Sequence, residues 1–493
     1  MNSLPDQLFS ASATRQLDEL AIKDFKIPGY TLMTRAGEAV FEVLQNEFPL
    51  ARRILVCCGA GNNAGDGYVV ARLAHKAGLD VDVLSLSDVS KLTGDAAQAY
   101  HDWKSLGHQL IRLTPELLDQ VDVVIDALLG TGVDREVTGE WRLLIEQINY
   151  SSVPVISVDI PSGLSADTGA LFGMAVKADI TVSFIGLKKG LYTSMGPDYA
   201  GRLFFDDLDV PAAAYKSVSA DARLLNWDHL QTQLVARNKN THKNDFGHLL
   251  IIGGEHGMAG AVRLAGEAAL RSGAGLVTII TRPEHVSAIN AGCPELMVTG
   301  SAKGQIPDQL LTKSDCIVIG PGLGQGAWAM NLLSQVLQSR KPKLLDADAL
   351  NLLSPEDNAR DDWILTPHPG EAARLLGFSS HDIQQNRFWS VDELQQQYGG
   401  VIVLKGCGTL VKQKDEVTEL CPYGNPGMAT AGMGDVLSGI IAALVGQGFS
   451  LSDAARLGVC VHARAADLAA LKGQRGLMAS DLFAEIRTLV NPG

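Results

Sequence analysis

Two glycine-rich stretches carry an aspartate where a loop of that kind is expected to hold phosphate. The first, GAGNNAGDGYVVARLAH (Gly59–His75), follows the apolar run RILVCC and sets Asp66 at the head of a helical pattern. The second, TAGMGDVLSGIIAALVGQG from Thr430, does the same with Asp435. A carboxylate beside a phosphate is repelled unless a cation or a chemical role accounts for it. Enzymes that phosphorylate hydroxyls give it such a role, because an aspartate at a helix N-terminus takes the alcohol proton as the oxygen attacks a nucleotide's terminal phosphate. Gly432 and Gly434 imply close backbone approach by a ligand, with the loop amides forming an anion hole. Helix capping is the plain alternative for both aspartates, whose carboxylates would accept backbone N–H bonds there.

Further oxygen groups stand at strand ends: Asp126 in VVIDALLGTGVDRE, and Asp159 with Ser162 in VDIPSGLSADTG. In an open parallel sheet the C-terminal strand ends share one crevice, so Asn63, Asp126, Asp159 and Ser162 could converge there. Their oxygens suit a hard cation, which would offset the repulsion at the first loop. Turn formation at the strand ends is the alternative for the two aspartates. GAGNNA also fits the loose GxGxxA dinucleotide pattern. The acidic residue that would hold a ribose is missing from the end of VDVLSL, where Asp82 lies inside the run. Farther on, VLKGCGTLV ends a strand with Lys405 among small residues, suited to nucleotide phosphates or ribose, or else a solvated surface lysine. TPHPGE holds His368 between two prolines just before a helix, as a ligand contact or as a structural residue.

These residues need parallel sheets to bring them together, and the sequence supplies two series. After an amphipathic helical region over about 12 to 48, the apolar runs RILVCC, VDVLSL, VDVVIDALLG, VPVISVDIPSG and ADITVSFIG recur, the first four separated by helical patterns. This is the βαβ rhythm of a sheet covered on both faces. A weaker stretch rich in Ala and Ser follows, placing a boundary near 215 to 225. A second series then begins: GHLLIIGG, GAGLVTIIT, CIVIGPGLG, KLLDADAL, WILTPHPGE and GVIVLKGCGT. The expectation is an α/β chain of two domains, 1–215 and 225–493.

Composition narrows the partners. A chain of 493 residues exceeds what one core sustains. The net charge of −14 argues against a general binder of nucleic-acid backbone. The seven scattered cysteines, without a CxxC pair, suit a reducing compartment. The amino terminus lacks the basic and apolar regions of a signal peptide, and no apolar run approaches the roughly 20 residues that span a bilayer. The reading is a soluble cytoplasmic protein with no membrane partner, and a homo-oligomer is expected.

GNNAGDG with the downstream DALLGTG and DIPSG resembles the YjeF N-terminal domain, the epimerase of hydrated NAD(P)H, over most of residues 1 to 215. The resemblance implies a Rossmann-like three-layer sandwich. It also implies a substrate site lined by Asn62, Asn63, Ala64, Gly65 and Asp66 and by Gly130, Thr131, Gly132, Val133, Asp134, Arg135 and Glu136. Asp159 would be the acid/base there, and potassium would bind at Asn63, Asp126 and Ser162. Residues 235 to 493 are similar to the nucleotide-dependent NAD(P)H-hydrate dehydratases, which have a ribokinase-like α/β fold; the motifs include AGAVRLAGEAALRSGAGLV, GPGLG, LLDADALNLL, TPHPGE and TAGMGD. By this resemblance Ala261, Gly324, His368 and Asp435 contact the hydrate, with Asp435 catalytic. Lys405, Gly406, Cys407, Gly408, Thr409 and Gly434 contact the nucleotide, ADP or ATP with Mg²⁺. ADP is favoured because the single-chain fusion resembles bacterial members. HKND at 242–245 departs from the family's usual His-Lys-Gly.

Together these imply repair of hydrated NADH and NADPH: epimerisation of the two hydrates in one domain and phosphorylation-driven dehydration of one of them in the other. The alternatives are a kinase that releases a stable phosphorylated alcohol, its first domain sensing a nucleotide, and a first domain that is a non-catalytic scaffold for RNA.

Overall fold

A computed structural model of the protein describes residues 4–354 and 359–491. The chain divides into two compact units, Met1–Arg223 and Leu224–Gly493.

In the first unit, β1 (Arg53–Cys58), β2 (Asp80–Ser85), β3 (Val123–Ala127), β4 (Val155–Val158), β5 (Ile180–Phe184) and β6 (Arg202–Asp206) form one parallel sheet in the order β2-β1-β3-β4-β5-β6. Ile54 to Cys58 and the whole of β3 are buried, as expected of strands covered on both faces. One face packs against α1 (Ala11–Lys23), α2 (Gly29–Glu47), α3 (Asn62–Lys76) and α4 (Gly94–Lys104), the other against α5 (Gly139–Tyr150). The single amphipathic region expected over 12 to 48 is thus two helices. Pro28 separates them, since its ring cannot continue the first and its fixed φ suits entry into the second. The chain goes from β1 outward to β2 and returns to β3 on the other side of β1, so a crevice opens at the C-terminal ends of β1 and β3.

The first glycine stretch is helical from Asn62 onward, which puts Asp66 in the second turn of α3 instead of at its cap. Close packing explains why glycines sit in a helix here. A Cβ at Gly65 would lie 2.6 Å from Met33, and one at Gly67 would lie 2.7 Å from Ala127.

In the second unit, β7 (His248–Ile252), β8 (Leu276–Thr281), β9 (Met297–Gly300), β10 (Cys316–Ile319), β11 (Lys343–Leu345), β12 (Trp363–Leu365) and β13 (Val401–Leu404) are parallel; β14 (Thr409–Gln413) and β15 (Thr418–Cys421) join antiparallel. Their order is β15-β14-β13-β12-β11-β10-β7-β8-β9. The helices include α6 (Ala259–Arg271), α7 (Ala327–Gln338), α8 (Pro369–Leu376), α9 (Arg387–Tyr398), α10 (Met433–Gly446), α11 (Leu451–Ala469) and α12 (Leu482–Leu489). Val436 to Val445 are all buried, so α10 runs through the core rather than over the surface. It starts at Met433, with Gly432 at φ 89°, a left-handed entry that glycine makes at no steric cost. Asp435 therefore lies in its first turn, and no side chain caps that end.

Candidate active sites

In the first unit, a cleft of about 570 Å³ opens at the strand ends. Ala60 to Asn63, Asp66, Gly130 to Val133, Arg135, Asp159 and Lys188 line it, together with Arg15, Asp18 and Asp95. Asp159 adopts φ 68°, a conformation that costs a non-glycine residue energy and recurs at functional sites. Lys188, itself fully buried, holds it there: the ammonium bonds Asp159 Oδ1, the Phe184 carbonyl (3.0 Å) and Ser183 Oγ (3.3 Å). The Phe184 amide donates to the same carboxylate oxygen at 3.2 Å. Burial, then Asp159 and Asp18, push the Asp66 carboxyl well above its usual range, with Lys188 pulling the other way. Asp18 is raised by burial and by Asp95. Several carboxylates therefore face one ammonium, and burial with mutual repulsion favours the protonated forms of Asp66 and Asp18.

Beneath the cleft, Asp126 is fully buried. Its Oδ2 accepts from Ser157 Oγ (2.8 Å) and the Ser162 amide (2.9 Å), and its Oδ1 from Ser162 Oγ (2.5 Å) and the Leu128 amide (3.3 Å). Burial raises its pKa while these bonds oppose the rise. The Asn63 amide oxygen and nitrogen are both buried without a protein partner, although Asn63 lies against Gly130. A buried amide oxygen left so costs free energy, and a hard cation satisfies it.

In the second unit the chemistry gathers where β11, β12 and β13 end. Asp346, which follows β11, is 1% exposed; it accepts from Lys405 Nζ at 2.6 Å and from Ser438 Oγ at 2.9 Å. Glu371 lies 3.8 Å from the same ammonium. Burial lowers the Lys405 pKa, but Asp346 and Glu371 outweigh it and hold the ammonium. Burial, and then Asp346, raise Asp435 to about 7 against the pull of Lys405. A base poised there, at a helix end whose first amides lack intrahelical partners, can take a proton from an alcohol beside a bound phosphate. Gly434 keeps the approach open, since a Cβ would meet Lys405 Nζ at 3.4 Å. His368 is the N-cap of α8, its Nδ1 accepting from the amides of Gly370 (2.9 Å) and Glu371 (3.3 Å) while its ring remains exposed. These bonds anchor the ring at the helix start, and its Nε2 lies 3.3 Å from Glu371 Oε1. A larger cavity, about 1060 Å³, lies among Arg237, Phe246, Arg271 and Arg487 near the opposite strand ends, away from Asp435.

The structure does not bring every expected residue to the cleft surface. Ala64 is buried in the core and Gly65 packs on Met33. Glu136 sits beside Gly173, and neither it nor Asp134 is among the cleft-lining residues. Asp126 and Ser162 form one hydrogen-bonded pair, with Asn63 above on the cleft wall. Ala261 and Gly324 flank the loop after β10: Ala261 Cβ is 3.2 Å from a Cβ built on Gly322, and the Gly324 amide donates to Asp348 at 2.8 Å. Asp245 and His242 cap one another, which gives HKND a defined turn without the usual glycine. Asp18, Lys188, Asp346, Glu371 and Ser438 were not singled out from the sequence. Lys188 follows the run ADITVSFIG and Asp346 heads DADAL, so position at a strand end was their available signal.

Comparison with known proteins bears on both sites. Residues 249–488 match the family model described as NAD(P)H-hydrate dehydratase, and residues 29–190 match that described as YjeF-related protein N-terminus. The chain is 48% identical to a bifunctional NAD(P)H-hydrate repair enzyme of Coxiella burnetii, over 98% of this chain and 99% of that one. It is 44% identical to the enzyme of the same name from Escherichia coli K12, over 99% of this chain and 95% of that one. Among solved structures, a ribokinase-like superfamily protein of Enterococcus faecalis superposes with a TM-score of 0.51 at 30% identity, covering 55% of this chain and 95% of that one. The second unit accordingly has the ribokinase-like fold.

Proposed function

The chain belongs to the bifunctional NAD(P)H-hydrate repair enzymes, and from that membership we propose that its first unit interconverts the R and S hydrates of NADH and NADPH while its second dehydrates the S hydrate with consumption of ADP. The observation that carries the dehydration is Asp435, raised to about 7 in the first turn of α10 beside Lys405. Hydration leaves a hydroxyl next to the ring nitrogen of the nicotinamide, and hydroxide is a poor leaving group near neutral pH. Asp435 takes the hydroxyl proton as the oxygen attacks the terminal phosphorus of ADP, and AMP departs. The ring nitrogen then expels phosphate from the new ester to give an iminium, and loss of a proton from the neighbouring ring carbon restores the reduced ring.

Lys405 Nζ and the amides of the α10 N-terminus bear the phosphate charge. Mg²⁺ fits as a companion of the nucleotide: Glu371 and Asp435 offer hard oxygens beside Lys405. Among the described residues no group of three or more acidic, His or Cys side chains is arranged to hold a metal unaided. In the first unit Asp159, positioned by Lys188, is the acid/base that exchanges protons with the hydrate. Potassium fits Asn63, Asp126 and Ser162, where Asn63 is otherwise unpartnered, and supplies positive charge to the substrate loops. Because a chiral dehydratase accepts one epimer, an epimerase in the same chain makes both recoverable.

The proposal extends to residues 1–215 and 225–493 as separately active domains, to a homo-oligomer, and to a cytoplasmic location, in keeping with the lack of a disulfide among the described residues. No helix among the described residues is long and apolar enough to cross a membrane. The test is to supply mixed hydrates of NADH with Mg²⁺, K⁺ and either ADP or ATP and follow the return of reduced-nicotinamide absorbance. ADP is expected to act faster; a clear preference for ATP contradicts the assignment.

A further inference from the structure

The loop from Lys405 to Thr409 rests on one side chain from α9. Arg387 is fully buried, and its guanidinium faces the loop's carbonyl oxygens. Nη2 donates to the carbonyls of Leu404 (3.1 Å), Lys405 (3.2 Å) and Gly408 (3.3 Å), and Nη1 to Lys405 again (3.2 Å) and to Gln384 Oε1 (2.9 Å). Gly406 adopts φ 135°, and a Cβ there would lie 2.7 Å from Arg387 Nη1. On the other side, Gly406 and Cys407 are exposed.

The planarity of the peptide unit converts this into a statement about the loop's open side. A carbonyl and the amide N–H that follows it point in opposite directions. With the Lys405 carbonyl drawn to the guanidinium, the Gly406 N–H faces away from it, toward solvent. The inward carbonyls carry partial negative charge that would repel a phosphate, and the guanidinium cancels it from behind. Burial pulls Arg387 down to about 10, so it stays charged at neutral pH.

We propose that Arg387 is a positioning residue for nucleotide binding: by gathering the carbonyls of Leu404, Lys405 and Gly408 it fixes the loop with the Gly406 amide turned outward toward a phosphate, while the Lys405 amide is anchored on the Pro367 carbonyl at 2.9 Å. This rests on the assignment of Lys405–Thr409 to the nucleotide, which a Lys405→Met variant tests separately. Arg387→Lys keeps the charge but loses the planar fork, and Arg387→Met loses both.

The experiment uses the full chain. Calorimetric affinities for ADP and for ATP with Mg²⁺ are measured beside KM for ADP and for the hydrate, with epimerase activity as the internal control of protein quality. Charge-assisted buried bonds support a rise of about 10-fold or more in the ADP Kd and KM of Arg387→Lys, and a larger rise in Arg387→Met. KM for the hydrate and the pH profile of kcat are expected to hold within about twofold. Wild-type ADP affinity in Arg387→Lys, with Lys405→Met weakened, overturns the role of Arg387 alone. Wild-type affinity in both overturns the loop assignment and the proposal with it. A parallel rise of both KM values with a fall in unfolding temperature makes Arg387 merely structural and also overturns it. If Arg387→Met does not fold, Arg387→Lys decides.

Discussion

Asp435→Asn is expected to abolish most dehydration and, at the same time, to stabilise the second unit at alkaline pH. Burial, then the charge of Asp346, with Lys405 opposing, raise the Asp435 carboxyl from 3.8 to about 7. Between those pH values the folded protein keeps a proton that the unfolded chain has released, so stability falls as pH rises through the window. At about 1.4 kcal/mol per pH unit, the loss amounts to roughly 4 kcal/mol once the pH passes about 7. Asparagine does not ionise and escapes that loss. At about pH 4 both side chains are neutral and the proteins should match; at about pH 8 the variant should be more stable by up to about 4 kcal/mol, or roughly 10 °C in Tm. Scanning calorimetry on the full chain reads this, with the second unit's transition recognised by its rise on adding ADP. Dehydration should fall by about 10²- to 10⁴-fold, the usual contribution of a general base, and epimerisation should not change. A folded variant that dehydrates near the wild-type rate, or a Tm difference that is the same at both pH values, refutes the role of Asp435 as a buried base.

The other expectations concern its neighbours and the first unit. Wild-type dehydration should lose kcat/KM as the pH falls below about 7, where Asp435 takes up its proton, and Asp346→Asn should move that limb to lower pH because Asp346 raises Asp435; an unmoved midpoint in the pH profile contradicts this. Asp126→Ala should weaken potassium binding, read by calorimetry, together with epimerase activity, and leave dehydration intact. Full epimerase activity in that variant with no bound ion in its crystals sinks the cation site. Expressed separately, residues 1–215 should epimerise and 225–493 should dehydrate one epimer, whereas fragments that neither fold nor work contradict the division.

What could be read from the sequence was what leaves a local pattern. Parallel strands buried on both faces are continuous apolar runs, so RILVCC, VDVVIDALLG and GVIVLKGCGT located the strand ends where Asp126 and Lys405 stand. The start of α3 was not legible, because glycine and asparagine favour a loop locally and only contact with Met33, Cys58 and Ala127 favours the helix. The strands β6, β9, β14 and β15 were also missed, β9 and β15 for a visible reason. Met297 is exposed on an edge strand, and Thr418–Cys421 follows the charged turn KDE, so neither has a long apolar run. Lys188, Asp346 and Arg387 are charged residues whose burial depends on distant partners. Nothing in hydrophobic periodicity marks a buried charge, so their roles emerged only when the strand ends were assembled.

The central claim is that phosphoryl transfer in this chain serves dehydration, and one stoichiometric measurement tests it directly. The full chain is given a mixture of the R and S hydrates of NADH with excess ADP, Mg²⁺ and K⁺, and reduced nicotinamide, AMP and inorganic phosphate are quantified at completion. Complete recovery of both hydrates as NADH is predicted, with phosphate and AMP each released in equal amount to the NADH formed. Accumulation of a stable phosphorylated hydrate, or consumption of ADP without return of NADH, would contradict it.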